Sequence, residues 1–145
     1  MARRSTWGIT PRESIATECV RRGKDAVVAD CIALLQGEED PELLRSLAGP
    51  GAEKFFDGGE HHDTYWFRVW ALRGLLWAWD ARAADCVCSA FDDEAWRVRE
   101  MAAKVAARHL VGEATAGVAR LRDDPVPRVR TAAERALVRL SDADA

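Results

Sequence analysis

The sequence predicts an all-α protein assembled from repeated helix pairs, on three observations. Apolar residues recur at helical spacing through most of the chain, as in Val98, Met101/Ala102 and Val105. No stretch alternates apolar and polar residues as a half-buried strand would. Segments also align with one another at an interval of 31 residues, a period typical of helical repeats.

Three segments carry the alignment: DTYWFRVWALRGLLWAW from Asp63, DEAWRVREMAAKVAARH from Asp93 and DPVPRVRTAAERALVRL from Asp124. Arg68, Arg99 and Arg130 keep the register, as do Phe67, Val98 and Val129, and Ala71, Ala102 and Ala133. The preceding stretches match too, Ala83 with Ala114, Val87 with Val118 and Asp92 with Asp123. An earlier, looser copy runs through AVVADCIALLQGEEDPELLRSLA, whose Asp40-Pro41 echoes Asp124-Pro125.

The elements follow in order. A helix over 11–22 stands apart as an N-terminal cap. Helix pairs are expected over 24–48, 52–79, 81–109 and 113–140, within one domain spanning 1–145. Asp and Pro mark helix starts, because Asp accepts hydrogen bonds from first-turn amides and Pro fits the first turn. Gly23, Gly37, Gly49 and Gly112 fall at the joints. The 52–79 unit is the degenerate one: Ala52–Phe56 gives only a short first helix, and a loop rich in Gly and His follows.

Asp93-Glu94-Ala95-Trp96-Arg97-Val98-Arg99 and Asp124-Pro125-Val126-Pro127-Arg128-Val129-Arg130 carry a known pattern. An apolar helix ends in Asp, a turn follows, and D-P-x-x-V-R-x-x-A opens the next helix. This resembles the HEAT repeats, specifically the short HEAT-like repeats of the phycobilisome-lyase type. The likeness covers about 63–140 well and 24–48 loosely. It implies a right-handed α-solenoid of about four helix pairs, with an Asp–Arg ladder joining neighbours and the second helix of each pair lining a concave face. It implies no particular activity, since such arrays serve many tasks.

Composition narrows the function classes. Of 145 residues, 48% are hydrophobic and 31% charged, which excludes a disordered chain. No apolar run reaches the length of a membrane span. The start, MARRSTWGITPRE, has arginines but no apolar core, so no secretory leader and a cytoplasmic protein are expected. Cys19, Cys31, Cys86 and Cys88 are expected as reduced, mostly buried thiols. No phosphate-loop, dinucleotide, nucleophile-elbow or zinc-protease motif is present, so no catalytic residue and no cofactor are assigned. His61 and His62 lie near Asp57, Glu60 and Asp63 but read as solvated loop residues, and no metal is assigned. His109 reads as a hydrogen-bonded core residue.

Charge is uneven. The net charge is −3, yet residues 36–63 carry about −6 and residues 96–140 about +5. Positions 67, 71 and 75 and their equivalents form the core, which leaves 66, 69, 73 and 77 on outer faces. Three rows result: Trp66, Arg97, Arg128; Arg73, Lys104, Arg135; and Trp77, Arg108, Arg139. A fourth, Val69, Glu100, Thr131, is mixed. The three consistent rows hold seven cations in nine positions, which suits an anionic partner. An interaction module that binds an acidic protein segment on this face is the expected function. Nucleic-acid binding and a lyase-like enzyme for a small molecule are the alternatives. Docking of the acidic 36–63 region on a second copy is a further option.

Overall fold

The computed structural model describes residues 10–143, and among these the protein is all-helical, with eight α-helices and no strand. The arginine-bearing start over which no leader is expected, residues 1–9, lies outside the described residues. No described helix is long and apolar enough to cross a membrane. The chain divides into two compact units, Met1–Trp79 and Asp80–Ala145. The division falls where the expected pairs 52–79 and 81–109 meet.

In the first unit, α1 (Pro11–Arg22) begins with a reciprocal cap. The Glu13 amide donates to Thr10 Oγ1 (3.1 Å) and the Thr10 amide to Glu13 Oε2 (3.0 Å). Gly23, at φ 88°, turns the chain directly into α2 (Lys24–Leu35). Asp40 caps α3 (Pro41–Ala48) through the Glu42 and Leu43 amides, and a 3-10 segment, Gly49–Phe56, continues it. The last helix is α4 (Tyr65–Trp77).

Packing groups these helices differently from the sequence reading. That reading sets 11–22 aside as a cap and places one helix pair within 24–48. In the structure α1 packs on α2, α3 packs on α4, and α2 lies against α4. The cause lies on the inner face of α1. Ile15 is buried, and Ser14 Oγ donates to the Ser46 carbonyl (2.5 Å), tying α1 to α3. The core is made of large side chains: Leu34, Leu43, Leu44, Leu47, Leu72 and Leu75, with Phe67 and Trp70. Gly74 lets the backbones approach, since a Cβ there would lie 2.8 Å from Cys31 Sγ and 3.0 Å from Leu47 Cδ2.

The second unit repeats itself element by element. A 3-10 turn (Ala81–Ala83), α5 (Ala84–Ser89) and a second 3-10 turn (Ala90–Asp92) lead to α6 (Trp96–Arg108). Each start recurs 31 residues later: 3-10 at Gly112–Ala114, α7 (Thr115–Arg120), 3-10 at Leu121–Asp123 and α8 (Pro127–Ala143). The turns recur with them. Asp93 Oδ1 accepts the Ala95 amide and Asp124 Oδ1 the Val126 amide, both at 2.9 Å. Arg99 Nη1 donates to the Asp93 carbonyl (2.7 Å), and Arg130 Nη1 donates to the Asp124 carbonyl (2.6 Å).

Arg99 also reaches forward. Its Nε and Nη2 donate to Asp124 Oδ2 (2.7 Å) and Oδ1 (3.2 Å), joining one turn to the next. Burial alone would raise the Asp124 pKa. The Arg99 guanidinium and the Val126 amide outweigh it and hold the carboxyl below its ordinary value. The core here is mostly alanine and valine, including Val98, Ala102, Val105, Val118, Val129 and Ala133, with Phe91, Leu121 and Leu140 beside them. α6 and α8 make the most extensive helix–helix contact, as small residues permit.

Candidate functional site

In the second unit a groove of about 820 Å³ runs along α6 and α8. Lys104 and Arg108 border it from α6, and Arg128, Arg135 and Arg139 from α8. Ala107, Thr131 and Ala132 line it between them, and Glu100 is the single acid. Five cations against one carboxylate make its field strongly positive. Helical geometry accounts for the set: 104 and 108 share a face of α6, as 128, 131, 135 and 139 share a face of α8.

Two pairs of these cations differ in their state. Arg128 is engaged. Its Nε and Nη2 donate to Glu100 Oε2 (3.0 Å) and Oε1 (3.2 Å), and its guanidinium lies 5.1 Å from the centre of the Trp96 ring. Glu100 is only 7% exposed, and Lys104 Nζ stands 3.7 Å from its Oε1. By contrast, Arg135 and Arg139 are exposed and make no ion pair among the described residues.

The remaining predicted residues fall elsewhere. Arg97 lies 4.5 Å over Trp96 and does not line the groove. Trp66 stacks on Trp70 (6.3 Å) and leans on Tyr65 (5.4 Å) within the first unit. Trp77 lies under the Arg12 guanidinium (5.1 Å). Arg73, expected on an outer face, is half-buried. Its Nη2 donates to the Leu47 carbonyl (2.7 Å) in the last turn of α3, and burial pushes its pKa down. A guanidinium there satisfies a carbonyl that the helix leaves unpaired. Val69 and Glu100, read as outer-face residues, are both buried. His109, read as core, is half-buried beside the groove at the end of α6.

Glu100 and Trp96 are the residues that the sequence reading undervalued. The signal was present: Glu100 is the one acid among the rows and stands four residues before Lys104. Elsewhere, His61 Nε2 lies 2.9 Å from Asp57 Oδ1 and its ring meets Phe55 edge-on. Among the described residues no group of three or more His, Cys, Asp or Glu side chains is placed to hold a metal. Burial raises the pKa of Cys86 and of Cys88 above the ordinary thiol value. Set against family models, curated proteins and solved structures, the chain matches none.

Proposed function

We propose that the chain is a short HEAT-like array of the α-solenoid type, acting as a non-enzymatic interaction module that binds an acidic protein segment in the α6–α8 groove. The observation that carries this reading is the row of cations around a floor of small side chains. Exposed guanidiniums grip carboxylates bidentately, while Ala107, Thr131 and Ala132 admit a helix or an extended strand close to the backbone. The element-by-element recurrence at 31 residues and the Arg99–Asp124 bridge favour the repeat architecture.

The test compares the wild type with Arg135→Glu/Arg139→Glu, using a labelled ten-residue glutamate peptide and a single-stranded oligonucleotide of equal charge. The peptide is expected to bind and to lose affinity at least tenfold in the variant, since charge-assisted hydrogen bonds are worth about 1.5–3 kcal/mol each. The melting temperature should not move, as both side chains are exposed. An oligonucleotide that binds, with steep salt dependence, while the peptide does not would overturn the protein reading in favour of nucleic acid. Self-association that the variant abolishes would make a second copy of the chain the partner.

A further inference from the structure

We infer that the groove reads its acidic ligand with a fixed polarity: ligand carboxylates dock at the Arg135–Arg139 end, and Glu100 bars them from the Arg128 end. This inference rests on the acidic-segment reading and adds which residues decide specificity.

The two ends are built from unlike charge balances. At one end, the Glu100 carboxylate already occupies the place a ligand carboxylate would take. Both of its oxygens are held by Arg128, and Lys104 stands next to it. Glu100 is nearly sequestered, so it does not swing out to make room. Arg128 is held a second time by the face of Trp96. A ligand carboxylate reaching Arg128 would find only the guanidinium edge that Glu100 leaves open and would sit beside a buried like charge that already neutralises it. Pro127, at the same end, adds an apolar wall.

At the other end, Arg135 and Arg139 lie one helical turn apart on α8, with Arg108 on the facing helix. No carboxylate lines this part of the groove. One turn is about 5–6 Å, a spacing that suits two acidic side chains one turn apart on a ligand helix or two residues apart on a strand. The preferred segment therefore carries its acids at one end and an uncharged side chain at the other. Glu100 is a positioning and specificity residue, acting through Arg128 and by repulsion.

The test uses the full chain and two probes. Inorganic phosphate is titrated while the arginine Nε–H resonances are followed by NMR. The Arg135 and Arg139 resonances should shift together and Arg128 should stay, whereas in Glu100→Gln the Arg128 resonance should join them. An Arg128 resonance that shifts in the wild type with the same saturation, or no shift at Arg135 and Arg139, overturns the polarity. With the glutamate decamer, Arg139→Ala should weaken binding about tenfold, Arg128→Ala less than about twofold, and Glu100→Gln should tighten binding several-fold. Equal losses from Arg128→Ala and Arg139→Ala would overturn the inference. Should the decamer fail to bind the wild type, the partner reading fails by itself, and the phosphate pattern still decides the polarity.

Discussion

The first unit buries Leu34, Leu44, Leu47, Leu72, Leu75 and the Phe67/Trp70 pair, whereas the second buries mostly alanines and valines, with Phe91, Leu121 and Leu140. Both place their second helices against one another, α2 on α4 and α6 on α8. In the second unit, turns, caps and core positions recur at one interval, with alanines and valines along the helix contacts and Phe91, Leu121 and Leu140 as the larger buried side chains. In the first, the elements do not recur at one interval, and a single eight-residue 3-10 segment stands between α3 and α4. Its helices are joined by large side chains and by side-chain bonds to backbone carbonyls, Ser14 to Ser46 and Arg73 to Leu47. Regular spacing can thus substitute for side-chain bulk, and irregular spacing demands it.

The strongest way to break this contrast is to empty each core. Leu72→Ala, at a site with no exposure, should cost about 2–5 kcal/mol. Val105→Ala, also fully buried, should cost roughly 2 kcal/mol, since fewer methylenes leave. Urea unfolding of both variants measures the difference, and equal losses would remove the distinction in how the units are packed.

The bridge between turns comes next. Arg99→Ala leaves Asp124 buried without its partner and should cost about 3 kcal/mol at neutral pH. The Asp124 carboxyl is held below its ordinary pKa in the folded chain. Its contribution is therefore complete above the unfolded value of about 3.9 and fades as pH falls through the lower folded value. The gap between wild type and Arg99→Ala should shrink in acid below about pH 4. A gap constant from neutral to acid pH would show that the bridge does not act through charge.

Closer still is the glycine comparison. A Cβ on Gly117 would lie 2.5 Å from Phe91 Cδ2, against 2.8 Å from Cys31 Sγ for one on Gly74. Overpacking costs about 1–3 kcal/mol, offset in part by alanine's helix propensity of about 1 kcal/mol. Gly117→Ala should therefore lower the melting temperature more than Gly74→Ala. The smallest effect separates two equivalent positions. Arg73→Ala should lose about 1 kcal/mol with its carbonyl bond, while Lys104→Ala, exposed in the other unit, should stay within about 0.5 kcal/mol.

These last residues also show how far the sequence could be read. Asp93 and Asp124 mark the turns legibly, because an Asp cap and an Arg six residues on are local chemistry. The cations of α6 and α8 that line the groove were legible from the register, since 104/135 and 108/139 are separated by one repeat. Extending that register to Arg73 and Trp77 failed for a physical reason. The repeat fixes which face of a helix points outward only while the neighbours repeat too, and α3 with its 3-10 continuation does not. PRESIATECVRR lacks the D-P-x-x-V-R signature, so nothing local marks α1 as a member of a pair, although it packs on α2. Glu100 was hidden because its burial depends on Arg128, 28 residues away.

The matching of the 31-residue elements has one more consequence. Residues 81–111 end where a backbone like their own beginning starts, with Ala83 and Ala114 at nearly the same torsions (φ −80°, ψ −9° and φ −82°, ψ −11°). A duplicate of 81–111 spliced in after Val111 would keep the Val111–Gly112 junction at its far seam, while at its near seam Val111 would stand before Ala81 in place of the capping Asp80. The product would be a longer molecule whose groove gains one more copy of Glu100, Lys104 and Arg108, so reach and charge would grow in whole steps of one repeat.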